Sequence, residues 1–198
     1  MADRLSDTHL NLHRATPPEW LDRVLASFDE FLKDHASCEK KASGMALSIA
    51  SHYPDRPALL NAMADLAVEE LSHYREVVRL LTRRGLQPGP DRKDDYVNGL
   101  NRLIRKEPFY LLDRLLIAAV VECRGHERFG MIASALEPGP EQRFYASITI
   151  SEGRHFELFL NLAIQAHPGI DVQARLEELC AREADVIASQ PPTPTLHG

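Results

Sequence analysis

"EELSHYREV", residues 69–77, decides how the chain folds. Set on a helix, its inward stripe runs Leu66, Glu70, His73 or Tyr74, Val77, then Leu80 or Leu81. A carboxylate and an imidazole thus take positions that the pattern otherwise gives to apolar side chains. The same departure recurs in "EGRHFELF", residues 152–159, where Glu152 and His155 interrupt the stripe of Ile148, Phe156 and Phe159. Residues three apart lie on one helix face, so each Glu-x-x-His pair aims at a single point in the interior.

Such spacings also arise by chance, and what precedes each pair carries the discrimination. Glu39 lies 31 residues before Glu70, and Glu122 lies 30 before Glu152. Between the halves, Glu39 and Glu122 are 83 apart, while Glu70–Glu152 and His73–His155 are both 82 apart. Each half therefore offers a Glu on one helix and Glu-x-x-His on the next. Glu39 and Glu122 also fall on apolar stripes, the first with Ala42 and Ala46, the second with Leu115 and Phe129. Four carboxylates inside a bundle repel one another and lose hydration, at roughly several kcal/mol each. Two divalent cations would balance them charge for charge, with both imidazoles neutral. Glu39, Glu70, His73, Glu122, Glu152 and His155 form an open oxygen-rich ligand set that suits iron or manganese better than a closed zinc site. It is the set found in ferritin-like di-metal carboxylate bundles.

The rest of the chain supports an all-α architecture. A 3.6-residue apolar period runs through every long segment, and no alternating Val/Ile-rich run suggests a sheet. "TPPE" (16–19) reads as a start, with Thr16 as N-cap and Pro17 in the first turn. A bend is expected near Ala26–Asp29. Pro54 and Pro57 separate the first long helix from the second, with Asp55 as cap, and "TRRG" ends the second at Gly85. A shorter amphipathic segment over about 94–106 lies in the connection; further helices begin near Pro108, at about 140 and at Asp171. The reading is one domain, 1–198: a four-helix bundle with one long crossover and additional helices, its ends 1–15 and 190–198 loose.

The chain carries a net charge of −6, which excludes indiscriminate nucleic-acid binding. Between Arg75 and Arg114, however, ten Lys/Arg stand against six Asp/Glu. The three cysteines form no Cys-x-x-Cys, no apolar run reaches eighteen residues, and the first residues lack a signal-like apolar stretch. A reducing, cytoplasmic setting without membrane contact is the expectation. Glu69, Glu76 and Glu157 fall off the inward stripe and read as solvated, while Glu127 competes with Glu122 as a ligand. His35 and His126, each one turn from a single Glu, are candidates to orient the ligands. Cys38 and Cys123 adjoin ligands and are expected to point away from the metals.

"DHASCEKKASGMAL", "AVEELSHYREVVRLLTRRG", "VECRGHERF" and "SEGRHFELF" together resemble the tRNA-(2-methylthio-isopentenyladenosine) hydroxylases, the MiaE family, over nearly the whole chain. The resemblance implies an O2-dependent di-iron monooxygenase that hydroxylates the isopentenyl group of the modified base. By the same implication the six Glu/His residues hold two iron ions, and an external reductase supplies electrons. It gives the basic segment a role in holding tRNA, through Arg79, Arg83, Arg84, Arg92, Lys93, Arg102, Arg105 and Lys106. A monomer or small homo-oligomer fits a large substrate. The alternative is a ferritin- or rubrerythrin-like iron-handling or peroxide-reducing protein.

Overall fold

The apolar periods become helices in the computed structural model, which describes residues 12–198. Short α1 (Pro18–Ala26) leads into α2 (Phe28–His52), and α3 (Pro57–Arg83) returns antiparallel to it. The crossover carries α4 (Asp95–Asn101); α5 (Tyr110–Ala135) and α6 (Pro140–Ala166) form the second long hairpin, and α7 (Val172–Ala188) follows. The bundle is α2, α3, α5 and α6, and no strand occurs among the described residues.

Local chemistry sets the breaks. The α1–α2 bend falls at Ser27, within the expected span, where Ser27 N bonds back to Arg23 O and Val24 O. Gly85 takes φ +72°, and Leu86 N donates to Leu81 O at 2.9 Å, the left-handed stop anticipated for "TRRG". Asp94 caps α4 by accepting from Val97 N, and Asp171 caps α7 by accepting from Ala174 N. Two expected caps do not form. Arg56, not Asp55, stands at the start of α3 and makes no side-chain cap. Thr16 precedes the α1 cap residue Pro17 and turns inward instead. Its Oγ1 donates to Glu127 and accepts from the buried guanidiniums of Arg124 and Arg128. Buried cations demand acceptors more strongly than a helix end open to water does.

Two apolar clusters fill the bundle. One joins Trp20, Phe31, Leu32, Val77, Leu81, Phe129, Ile132, Tyr145 and Ile148. The other joins Ala46, Met63, Leu66, Ala67, Leu115, Ala119, Cys123, Phe156, Phe159 and Leu162. On every bundle helix the expected ligands lie at the junction between the two clusters.

The second hairpin is pinned to its cover by buried ions. Arg124 and Glu183 are both fully buried; Arg124 Nε and Nη2 reach Glu183 Oε1 at 2.9 and 2.8 Å, and Tyr96 OH donates to the same oxygen at 2.9 Å. This triad ties α5, α4 and α7 together. The segment 190–198, expected to be loose, is docked. Trp20 Nε1 donates to Thr195 O at 2.9 Å, Leu196 N donates to Asp34 Oδ2 at 2.8 Å, and Arg128 donates to Leu196 O. Proline and threonine content signals a weak tendency to order locally, but these three tertiary anchors hold the backbone.

Candidate metal centre

Between the two apolar clusters the structure brings together all six expected Glu and His side chains. Glu39 comes from α2, Glu70 and His73 from α3, Glu122 from α5, and Glu152 and His155 from α6. Ligand atoms of Glu39, Glu70 and His73 lie within 4.8 Å of one another, and so do those of Glu70, Glu122, Glu152 and His155. Glu70 belongs to both groups. His73 Nδ1 stands 3.6 Å from Glu39 Oε2 and 3.4 Å from Glu70 Oε2. His155 Nδ1 stands 2.9 Å from Glu70 Oε1, 3.6 Å from Glu122 Oε2 and 3.7 Å from Glu152 Oε1. The two imidazole centroids are 6.0 Å apart.

These approaches are close but not aligned as hydrogen bonds. Glu70 Oε1, Glu152 Oε1, His73 Nδ1 and both nitrogens of His155 are buried without a hydrogen-bond partner. Orphaned polar atoms at this depth are costly unless something else satisfies them. Facing lone pairs on oxygen and nitrogen, gathered into two overlapping groups, fit metal ions.

Without metal, protons must do the balancing. Burial alone would pull His155 down, but Glu122 and Glu70 raise it to about 11. Burial likewise works against the His73 cation, and Glu39 and Glu70 outweigh it, lifting His73 to about 9. Burial pushes Glu70 up, yet His155 and His73 hold it well below the usual carboxylate range. Glu152 is driven well above that range by burial, then by the charge of Glu122. The surroundings thus favour the neutral form of one carboxyl and the charged form of both imidazoles.

His35 takes the orienting role expected of it. Its Nε2 contacts Glu39 Oε1 at 2.6 Å and its Nδ1 contacts Tyr145 OH at 3.1 Å, both in a fully buried setting. His126 does not reach a ligand: its Nδ1 meets Thr149 O at 2.8 Å. Glu127 is turned away to Arg124 and Thr16 and does not compete with Glu122. Glu69 departs from its solvated reading. It is half-buried, accepts from Arg154 Nη2 at 2.8 Å and lies 3.4 Å from His155 Nε2. Gly125 leaves room beside the cluster, since a Cβ there would stand 3.0 Å from Glu152 Oε2.

α2 and α5 meet at one end, where the ring centroids of His35 and Phe129 lie 4.7 Å apart, and elsewhere face each other across a cavity of about 630 Å³. Glu39, Glu70, Glu122 and Glu152 form its buried floor. Ala42, Met45, Ile104, Ile117, Ala118 and Val121 form apolar walls, and exposed His52, Asn101, Arg105 and Lys106 mark its mouth, with Arg114 just inside. The crossover and the tail residues Leu196 and His197 close one side. Cys38 lies on the cavity wall beside Glu39, whereas Cys123 is buried in the core. Sequence patterning could not give the tail's place here, because a lone Leu-His in a Pro/Thr-rich segment has no period.

The eight basic residues do not form one patch. Arg84 bonds Glu141 and Asp29 near the starts of α6 and α2, while Arg105 bonds Asp113 near the start of α5. Arg79 pairs with Glu76, Arg92 with Glu30 and Lys93 with Asp95. Arg83, Arg102 and Lys106 make no ion pair among the described residues.

An antiparallel helical bundle with a long crossover and a buried Glu/His cluster defines the ferritin-like class. A solved member of similar shape, "Protein 43 with aldehyde deformylating oxygenase activity from Synechococcus", superposes with a TM-score of 0.87 at 35% identity, covering 94% of this chain and 95% of that one. Within the class, the chain belongs to the tRNA-(MS[2]IO[6]A)-hydroxylase (MiaE) family, whose family model matches residues 3–198. A tRNA 2-(methylsulfanyl)-N(6)-isopentenyladenosine(37) hydroxylase of Pseudomonas putida is 38% identical over 175 residues, spanning 88% of this chain and 85% of its own. The protein of the same name from Salmonella typhimurium is 28% identical over 228 positions, covering 90% of this chain and 84% of that one.

Proposed function

We propose that this chain is an O2-dependent di-iron monooxygenase that hydroxylates the isopentenyl group of 2-methylthio-isopentenyladenosine in tRNA. The observation that carries the reading is the buried Glu/His cluster at the floor of an apolar-walled cavity open to solvent at its mouth. Glu39, Glu70 and His73 would hold one iron ion and Glu122, Glu152 and His155 the other, with Glu70 placed to reach both. Bound iron would supply O2 reduction and an oxidant able to break an allylic C–H bond.

The protein's own residues do the rest. Met45, Ile117, Ala118 and Val121 receive the branched alkyl group and exclude water from the floor. His35 holds Glu39 in place from behind. Lys106, Arg105 and Arg114 meet phosphates at the mouth, while the modified base leaves its stack to enter. Two electrons come from an external reductase, and the chain works in the cytoplasm as a monomer or small homo-oligomer. No described helix is long and apolar enough to cross a membrane.

Nucleoside analysis of tRNA from cells with and without the gene tests the reading. The hydroxylated base should vanish on deletion and return with wild type but not with Glu70→Ala. An unchanged profile would overturn it. Iron storage or peroxide reduction, the second reading, predicts that unchanged profile and a peroxide-sensitive deletion strain.

A further inference from the structure

We infer that Cys38, Asp94 and His197 form a second site for a divalent transition-metal ion of the zinc or ferrous class, separate from the Glu/His centre. One ligand atom from each lies within 4.8 Å of the other two. The three come from different elements: Cys38 from α2, Asp94 from the cap of α4, and His197 from the tail.

The buried polar atoms point to the same place. Among the described residues, six buried side-chain nitrogens and oxygens lack a hydrogen-bond partner. Five belong to the Glu/His centre, and the sixth is His197 Nε2. His197 is only 7% exposed and stacks on Tyr96 with centroids 5.0 Å apart. Its Nδ1 lies 2.7 Å from Asp94 Oδ2. A carboxylate at Nδ1 fixes the proton there and leaves the lone pair on Nε2 for an ion, so Asp94 orients the imidazole while Cys38 and His197 supply the ligand atoms. The thiol adds a soft ligand, and its Sγ lies 3.8 Å from the oxygen Oδ2 of buried Asp34. Thiolate and imidazole suit zinc or ferrous iron, with water completing the coordination and Asp94 fixing the ring. Binding releases the thiol proton to water, and the ion replaces it.

The place also has an entry path. Cys38, Asp94 and His197 all line the cavity that leads to Glu39, so an ion diffusing inward passes them. The two sites share no residue. This inference therefore stands apart from the assignment of the Glu/His centre, and it can fail alone.

Cobalt(II) discriminates the sites, because only a thiolate ligand produces a sulfur-to-cobalt charge-transfer band in the near ultraviolet. Metal-free full-length protein titrated with Co2+ should develop that band. Cys38→Ser and His197→Ala should lose it, and Asp94→Asn should need about 10–100-fold more Co2+ to reach it. Cys123→Ser, Cys180→Ser and Glu70→Ala should keep it. Absence of the band in folded wild type overturns the site and leaves Asp94–His197 as a latch for the tail. Persistence of the band in Cys38→Ser overturns it equally. Should Cys38→Ser fail to fold, as judged by circular dichroism, His197→Ala decides alone.

Discussion

Glu70 Oε1 on the first hairpin stands 2.9 Å from His155 Nδ1 on the second, and this contact joins the two halves of the bundle at their polar layer. Glu70 is the one residue common to both ligand groups. Its removal should therefore disturb two ions, whereas loss of a ligand belonging to one group should disturb one. Glu70→Ala is expected to bind less than half the wild-type iron, measured by metal analysis after anaerobic loading. Glu157→Gln, on an exposed position of the same polar stretch, should bind the full amount.

Protons and metal compete for the centre. His73 and His155, raised to about 9 and about 11, are charged in the metal-free protein at neutral pH. A raised folded value gives stability that is complete below the ordinary imidazole value near 6.5 and is lost as pH climbs through the raised one. Metal-free protein should thus melt at progressively lower temperature from about pH 7 to pH 10. Metal binding requires neutral imidazoles, so it should release protons and tighten with rising pH. Calorimetry in buffers of different ionisation enthalpy would measure the release, and zero net release would contradict the ligand assignment.

The cavity mouth and the far end of α3 should behave differently toward tRNA. Lys106 and Arg114 line the mouth, while Arg83 lies at the opposite end of the bundle, beside Arg84 and its partners from α2 and α6. Lys106→Glu combined with Arg114→Glu is expected to weaken tRNA binding at least about tenfold. It should also lower the salt slope by about 2, close to one unit for each phosphate that is no longer neutralised. Arg83→Glu should change neither beyond about twofold. Filter binding across a salt series reads both quantities.

Glu183 and Arg124 are fully buried together, so deleting one strands the other. Glu183→Ala should cost about 3 kcal/mol of stability, the low end for a broken buried pair, because Arg124 keeps Thr16, Glu127 and Arg14 O as acceptors. Urea unfolding followed by circular dichroism gives the value. Little change would mean that α7 docks by its apolar face alone.

Periodicity and spacing made the bundle and its six central residues legible. Helices announce a buried face, and Glu70, His73, Glu152 and His155 stand out because charged groups sit poorly there. His35 was readable as an orienting group one turn from Glu39, and Tyr145 beyond it was not, since a Tyr on a core stripe reads as packing. Thr16, Glu127 and the 190–198 segment were misplaced for a common reason. Their positions follow from the acceptors that buried Arg124 and Arg128 require, and a tertiary demand of that kind leaves no local pattern. The basic segment read as one patch because charge was counted along the chain, whereas the crossover stretches it along the bundle's length.

The bundle's open side and closed side have different occupants. α2 and α5, which flank the cavity, contribute a single carboxylate each, while α3 and α6 carry both histidines. On that histidine side half-buried Glu69, held by Arg154, lies 3.4 Å from His155 Nε2. The buried cluster thus meets the surface in two ways, through the broad apolar cavity and through the partly exposed Glu69 carboxylate that touches His155. On the function proposed above, a tRNA resting over the cavity would leave the Glu69 face uncovered for an electron carrier.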